Sequence, residues 1–251
     1  MGRKTDIIID IGSGDGATTK VLATRVSHKR VIAIDVNPAM TAYGQSVNSL
    51  TTIEYLTQDM SVSWQELSDD VRRLESKVDI IFSNFCFHFI RDKSQLLSIC
   101  RRLLSTGGII HANVFLLNDL NSKLPADRQK ACFLSIDQQL DVWRRALTDN
   151  GFTVDVFTVA EDTFTMAREH AIASFPVIMS IYKTFFETTE EFVRECSDLS
   201  DVIFDAMCNP VADRPNPNAW TQFLANEDIT EVVYRAQLLT LVAHKKMIII
   251  Y

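Results

Sequence analysis

The stretch Asp10-Ile11-Gly12-Ser13-Gly14-Asp15-Gly16, DIGSGDG, decides the fold of this chain. It closes a short apolar run, Asp6 to Ile11, and leads into Thr18 to Val26, whose pattern is helical. Glycines clustered between a strand and a helix let a ligand approach the backbone closely, and the helix start offers it N–H groups. Gly12, Gly14 and Ala17 also satisfy the relaxed G-x-G-x-x-A fingerprint of dinucleotide-binding folds, so a dehydrogenase is one reading. Asp10 argues against it. A carboxylate two residues before the first glycine repels a pyrophosphate and suits a ligand with an amino group and a sulfonium charge, which points to S-adenosyl-L-methionine.

Working outward, short β-branched runs alternate with longer helical patterns, the arrangement of parallel βαβ units. Strands are expected at Asp6 to Ile11, Val31 to Asp35, Ile53 to Leu56, Val78 to Ser83, Gly108 to Phe115, Thr153 to Val159 and Ala236 to His244. Pro38 suits the first turn of a helix, Asp92 caps another that Gly107 ends, and Ser135 with Gln138 forms a capping box for a helix closed by Gly151. Between the last two strands the pattern turns helical. Phe175, Ile178, Tyr182 and Phe185 mark one amphipathic helix, and Phe192, Cys196, Leu199, Ile203 and Met207 mark a second, closed by the Pro-rich loop Pro210 to Trp220. The expected fold is therefore α/β: a seven-stranded, mostly parallel Rossmann-like sheet with helices on both faces. Residues 1–159 form its core, 160–231 a helical substrate-side insertion, and 232–251 the last strand and tail.

Composition narrows the function classes. The 251 residues are 47% hydrophobic and 23% charged, enough to bury a sizeable core. A formal charge of -7 and the lack of a long basic run argue against a nucleic-acid partner. Five cysteines, an odd number with no C-x-x-C pair or metal-ligand spacing, suggest a reducing setting and no metal site. Asp6 and Asp10 break the apolar start before a signal-peptide core can form, and no run approaches the ~18 apolar residues of a membrane span. A cytoplasmic monomer or homodimer, with no membrane partner, is expected.

Further residues fall where the methyl donor needs them. Asp35 ends the second strand in position to accept the ribose hydroxyls, with Val36 beside it. Asp59 follows the third strand, where an acid can take the adenine amino group, and Met60 can pack on the ring face. Through these residues, the glycine turn and Leu104-Ser-Thr-Gly107-Gly108, the chain resembles class I S-adenosylmethionine-dependent methyltransferases over about residues 5 to 160 plus the final strand. The resemblance implies a donor set of Asp10, Gly12, Ser13, Gly14, Gly16, Asp35, Val36, Asp59, Met60 and Asn84.

Ile81-Phe-Ser-Asn-Phe-Cys-Phe-His88-Phe-Ile90 after the fourth strand, together with the Gly-Ser-Gly-Asp-Gly turn, is similar to the arthropod juvenile hormone acid O-methyltransferases. That resemblance implies an apolar acid as acceptor, of the farnesoic or juvenile hormone acid type, with His88, Phe89 and Phe85 at the acceptor. Two departures stand out. Phe89 replaces the family's Trp and its indole N–H, and the sequence begins almost at the first strand, without the family's N-terminal segment and its carboxylate-binding Gln. Part of the substrate site is then expected to be absent. Such a reaction needs no general base, because a carboxylic acid of pKa near ~4 is already ionised at neutral pH. A methyltransferase for another small molecule, and a cofactor-binding module with an incomplete substrate site, are the alternatives.

Overall fold

The computed structural model describes residues 5–118, 120–124, 126, 129, 133–183, 186, 188–209 and 216–246. The seven strands are β1 (Ile7–Ile11), β2 (Arg30–Asp35), β3 (Ile53–Thr57), β4 (Val78–Asn84), β5 (Leu104–Leu116), β6 (Phe152–Ala167) and β7 (Glu231–Lys245). They form one sheet in the order β3-β2-β1-β4-β5-β7-β6. The pairs β1–β2, β1–β4, β2–β3 and β4–β5 are parallel. β1 and β2 read as nearly continuous Ile/Val because such strands are covered on both faces, and Ile8, Ile9, Val31, Ile32 and Ile34 are all buried. β7 runs against its neighbours. Its contacts with β6, Asp155 to His244 and Gly151 to Lys246, rise along one chain segment as they fall along the other.

The connecting helices are α1 (Ala17–Arg25), α2 (Pro38–Val47), α3 (Asp69–Arg72), α4 (Lys93–Leu103) and α5 (Ile136–Asp149). Asn37 caps α2 through Ala39 N–H, with Pro38 at the first helical position. The capping box before α5 is made reciprocally by Ser135 and Gln138. Asp92 accepts from Gln95 N–H to cap α4 as expected, but that helix ends at Leu103 rather than at Gly107. Gly107, with φ of 72°, lies inside β5.

The chain divides into two compact units, one of residues 1–114, 143–158 and 240–251, the other of 115–142 and 159–239. The second contains α6 (Arg168–Tyr182), α7 (Thr189–Cys208) and α8 (Ala219–Ala225). Phe175, Ile178 and Tyr182 lie on α6, and Phe192, Leu199, Ile203 and Met207 on α7, where they join one apolar cluster. Phe185, the side chain of Cys196 and residues 210–215 of the Pro-rich loop fall outside the described residues. Strand β6 continues to Ala167, so the segment from Ala160 is extended where a helix was expected. Thr163, Phe164, Thr165 and Met166 alternate polar and apolar, a strand period, and Phe164 and Met166 both pack on the cluster.

Candidate functional site

The parallel pairing brings five sequence-assigned residues to the carboxyl ends of four adjacent strands. Asp59 follows β3, Asp35 ends β2, Asp10 and Gly12 end β1, and Asn84 ends β4. Strand order reverses between β1 and β4, and in open α/β sheets ligands bind at that crevice. Fold and motif therefore converge on one place.

The glycine turn is built around acceptors. Gly12 and Ser13 both donate N–H to the Ile34 carbonyl, at 2.8 and 3.0 Å. Gly14 donates to Asp35 Oδ2 at 2.9 Å, and Gly16 to the Ser13 carbonyl at 3.0 Å. The N–H groups of Gly12, Ser13, Gly14 and Gly16 are thus engaged within the protein, while two carboxyl groups border the turn. Gly14, at φ 55°, has open space where a Cβ would stand. A cationic nucleoside fits this cradle; a dianionic phosphate chain does not. The buried Ser13 hydroxyl has no protein partner, a polar atom available to a ligand after a small shift.

Asp10 is almost fully buried, and Thr19 Oγ1 of α1 donates to its Oδ2 at 2.6 Å. Burial, with a lesser contribution from Asp35, pushes the Asp10 carboxyl up to about 7, although the Thr19 bond pulls the other way. Asp35 holds the N–H groups of Gly14 and Asn37, one on each oxygen, each of which keeps a second lone pair. Val36 is 62% exposed beside it. Asp59 is exposed and folds back on Ser61 N–H, while Met60 is buried among protein atoms.

The glycine at position 12 has a different cause from the one expected of a ligand cradle. A Cβ there would stand 2.1 Å from Cys86 Cβ, so the side chain is excluded by the protein itself. Cys86 belongs to the segment after β4, and burial pushes its thiol up to about 12. The glycine turn and the segment after β4 are therefore in van der Waals contact through Gly12 and Cys86.

That segment begins with Asn84, whose Oδ1 accepts from Asn113 Nδ2 at 3.0 Å, while Asn113 Oδ1 accepts from Thr240 Oγ1 at 3.2 Å. This chain orients the Asn84 amide with its NH2 group turned away from Asn113. Phe85 follows at φ 57°, a left-handed conformation rare and costly for an aromatic residue. Its N–H is held by the Asn113 carbonyl at 2.9 Å. A single 3-10 turn, Phe87–Phe89, comes next. Phe87 is wholly buried and stacks on Trp143, whereas Phe89 is 37% exposed. His88 is buried with its ring 4.5 Å from that of Phe89. Burial, helped by the charge of Lys93, lowers the imidazole to about 3, so it is neutral.

Three features escaped the sequence reading: Thr19, the Asn113–Thr240 pair and Lys93. Thr19 was within reach, since it lies nine residues after Asp10 on the helix that the turn opens. The Asn113–Thr240 pair joins residues 127 apart in sequence and carries no local signal. A cleft of about 440 Å³ in the helical unit, lined by Phe204, Cys208, Phe223 and Val232 among others, contains none of the assigned residues. Among the described residues no His, Cys, Asp or Glu cluster suits a metal ion, and no helix is long and apolar enough to cross a membrane.

Comparison with known proteins agrees with this geometry. Residues 9–112 match the family described as a methyltransferase domain. The chain is 22% identical over 206 residues to malonyl-[acyl-carrier protein] O-methyltransferase 1 of Ilyobacter polytropus, covering 78% of this chain and 71% of that one. It is 29% identical over 105 residues to trans-aconitate 2-methyltransferase of Escherichia coli O157:H7, covering 42% and 37%. In fold it is similar to the YcgJ protein of Bacillus subtilis, with a TM-score of 0.57, 12% identity and coverage of 98% and 94%. Phosphoethanolamine N-methyltransferase 2 of Haemonchus contortus, solved with S-adenosylhomocysteine, gives a TM-score of 0.53 at 15% identity, covering 98% of this chain and 50% of that one.

Proposed function

We propose that this chain, a class I S-adenosylmethionine-dependent methyltransferase, esterifies the carboxylate of a small acid. The observation that carries this reading is the neutral His88. With burial and the charge of Lys93 lowering its pKa to about 3, it is too weak a base to take a proton from an alcohol, and its place in the buried turn after β4 suits orienting an anion instead. An acceptor that arrives already ionised matches that imidazole; one that must be deprotonated does not. Relatives named for a malonyl thioester and for trans-aconitate, both acids, support the same class.

Bound S-adenosylmethionine supplies a methyl carbon on a cationic sulfur. The chain's own residues position it. Asp10 and the open side of Gly14 hold the amino-acid end, Asp35 the ribose hydroxyls, and Asp59, Met60 and Val36 the adenine, with Ser13, Gly12 and Gly16 shaping the turn. Asn84 lies between donor and acceptor. His88 orients the acceptor by one hydrogen bond, and more donors would over-stabilise the nucleophile. Phe85 and Phe89 receive an apolar tail. Within the acids we favour an apolar one of the farnesoic or juvenile hormone acid type, because Phe85 and Phe89 add aromatic surface rather than charge beside His88.

The test is transfer of labelled methyl to a panel containing farnesoic acid, malonyl thioester, trans-aconitate, an alcohol and an amine. Base-stable label in the alcohol or amine, with no acid turned over, defeats the proposal. Phe89→Trp adds an indole N–H worth roughly 1.5–3 kcal/mol to a charged partner, so the Michaelis constant for the accepted acid is expected to fall about tenfold or more. An unchanged constant removes Phe89 from the acceptor site.

A further inference from the structure

We propose that Lys93 is a positioning residue for the acceptor side: by gathering the backbone carbonyls around His88 onto one ammonium, it holds the turn that presents the imidazole. The proposal rests on the reading of His88 given above. Helix formation does not explain this lysine. It occupies the first position of α4, where the helix dipole disfavours a cation and only the capping Asp92 carboxylate offsets it.

Its Nζ instead turns back over the preceding segment. It donates to the Phe87 carbonyl at 3.0 Å, to the Ile90 carbonyl, and more weakly to the His88 carbonyl at 3.4 Å. It also lies 5.2 Å from the centre of the Trp143 ring, whose face stacks on Phe87. The backbone bonds Phe89 N–H to Cys86 and Ile90 N–H to Phe87 make one 3-10 turn, a length that does not persist alone. Carbonyls at the end of such a turn carry partial negative charge, and an ammonium has three N–H groups to satisfy them.

The charge matters as well as the bulk. Around Nζ stand the Asp92 carboxylate, which raises the lysine pKa, the Cys86 thiol, kept uncharged by its own burial, and the neutral His88 ring. Burial outweighs the carboxylate and lowers Lys93 to about 8. Below that pH three donors and a cation serve the turn. Above it a neutral amine keeps two donors and loses the attraction to Trp143, so the turn loosens while the donor cradle, built from other residues, stays intact.

The experiment compares the full-length protein with Lys93→Met and Lys93→Arg between pH 7 and 9.5, by amide exchange at Phe89 and Ile90, calorimetry with S-adenosylhomocysteine, and turnover of an acid from the panel. Lys93→Met is expected to bind S-adenosylhomocysteine within twofold of the parent, to exchange the two amides at least tenfold faster at pH 7, and to raise the acid's Michaelis constant at least tenfold. Lys93→Arg keeps its charge throughout. It should retain protection at pH 7 and abolish the extra loss of protection that the parent shows above about pH 8. Unchanged protection in Lys93→Met overturns the proposal, and so does an equal loss of S-adenosylhomocysteine affinity, which would make the role merely structural. If no acid on the panel is methylated, the acceptor reading fails, and the amide exchange decides the clasp by itself.

Discussion

Asp10 is a carboxyl group that the folded chain keeps largely protonated up to neutral pH, because burial raises it from 3.8 to about 7. A raised acid stabilises the fold most below its unfolded pKa and loses that contribution as pH climbs to the folded value, at up to ~1.4 kcal/mol per pH unit. A cationic donor reverses the preference by favouring the carboxylate. Donor binding is therefore expected to release a proton and to tighten as pH rises from 5.5 to 7, levelling off above. Calorimetry in two buffers of different ionisation heat measures the proton, and Asp10→Asn should remove both the release and the pH dependence. Gly12 makes a separate prediction. Its φ of 78° and the 2.1 Å approach to Cys86 Cβ mean that Gly12→Ala combines left-handed strain with overpacking, a loss of about 3 kcal/mol in urea unfolding. Adding Cys86→Gly should recover part of it. Equal stability of the single and double variants would show that the contact does not explain the glycine.

At the scale of elements, the site depends on how each strand ends. β4 ends on Asn84, oriented from β5 and β7, then reverses through a left-handed Phe85 into a turn clasped from the start of α4. The cap of α4 thus has two duties, because Asp92 fixes the turn from which Lys93 reaches back. Asp92→Ala is expected to cost about 1 kcal/mol of stability through the lost bond to Gln95 N–H. It should also speed amide exchange at Phe89 and Ile90 more than at Thr24 and Arg25 of α1. Uniform acceleration at all four would mean that the cap stabilises the fold without ordering the turn. The strand after α5 carries a lesson about legibility. Thr163 to Met166 alternate correctly for a strand, yet the acidic Glu161 and Asp162 and the helical stripes that follow mask the signal when the segment is read with its neighbours.

For the whole molecule, the parallel half of the sheet specifies a cofactor class. Because the N–H groups of Gly12, Ser13, Gly14 and Gly16 are spent on Ile34, Asp35 and Ser13, S-adenosylhomocysteine should raise the melting temperature by mass action and NAD should not. A shift with NAD alone would reassign the pocket. The sequence alone determined the strand-and-helix order, the placement of Asp10, Gly12, Gly14, Asp35 and Asp59 at strand ends, and the donor they imply. Each of these depends on the neighbours in a short window: apolar period, turn glycines and caps. Only the tertiary structure decided why Gly12 lacks a side chain, how Asn84 is oriented, that Phe85 is left-handed, that His88 is neutral, and that Lys93 leaves its helix to bind carbonyls. Those properties arise where separate segments meet, through excluded volume and desolvation, and neither force leaves a mark on the local pattern of residues.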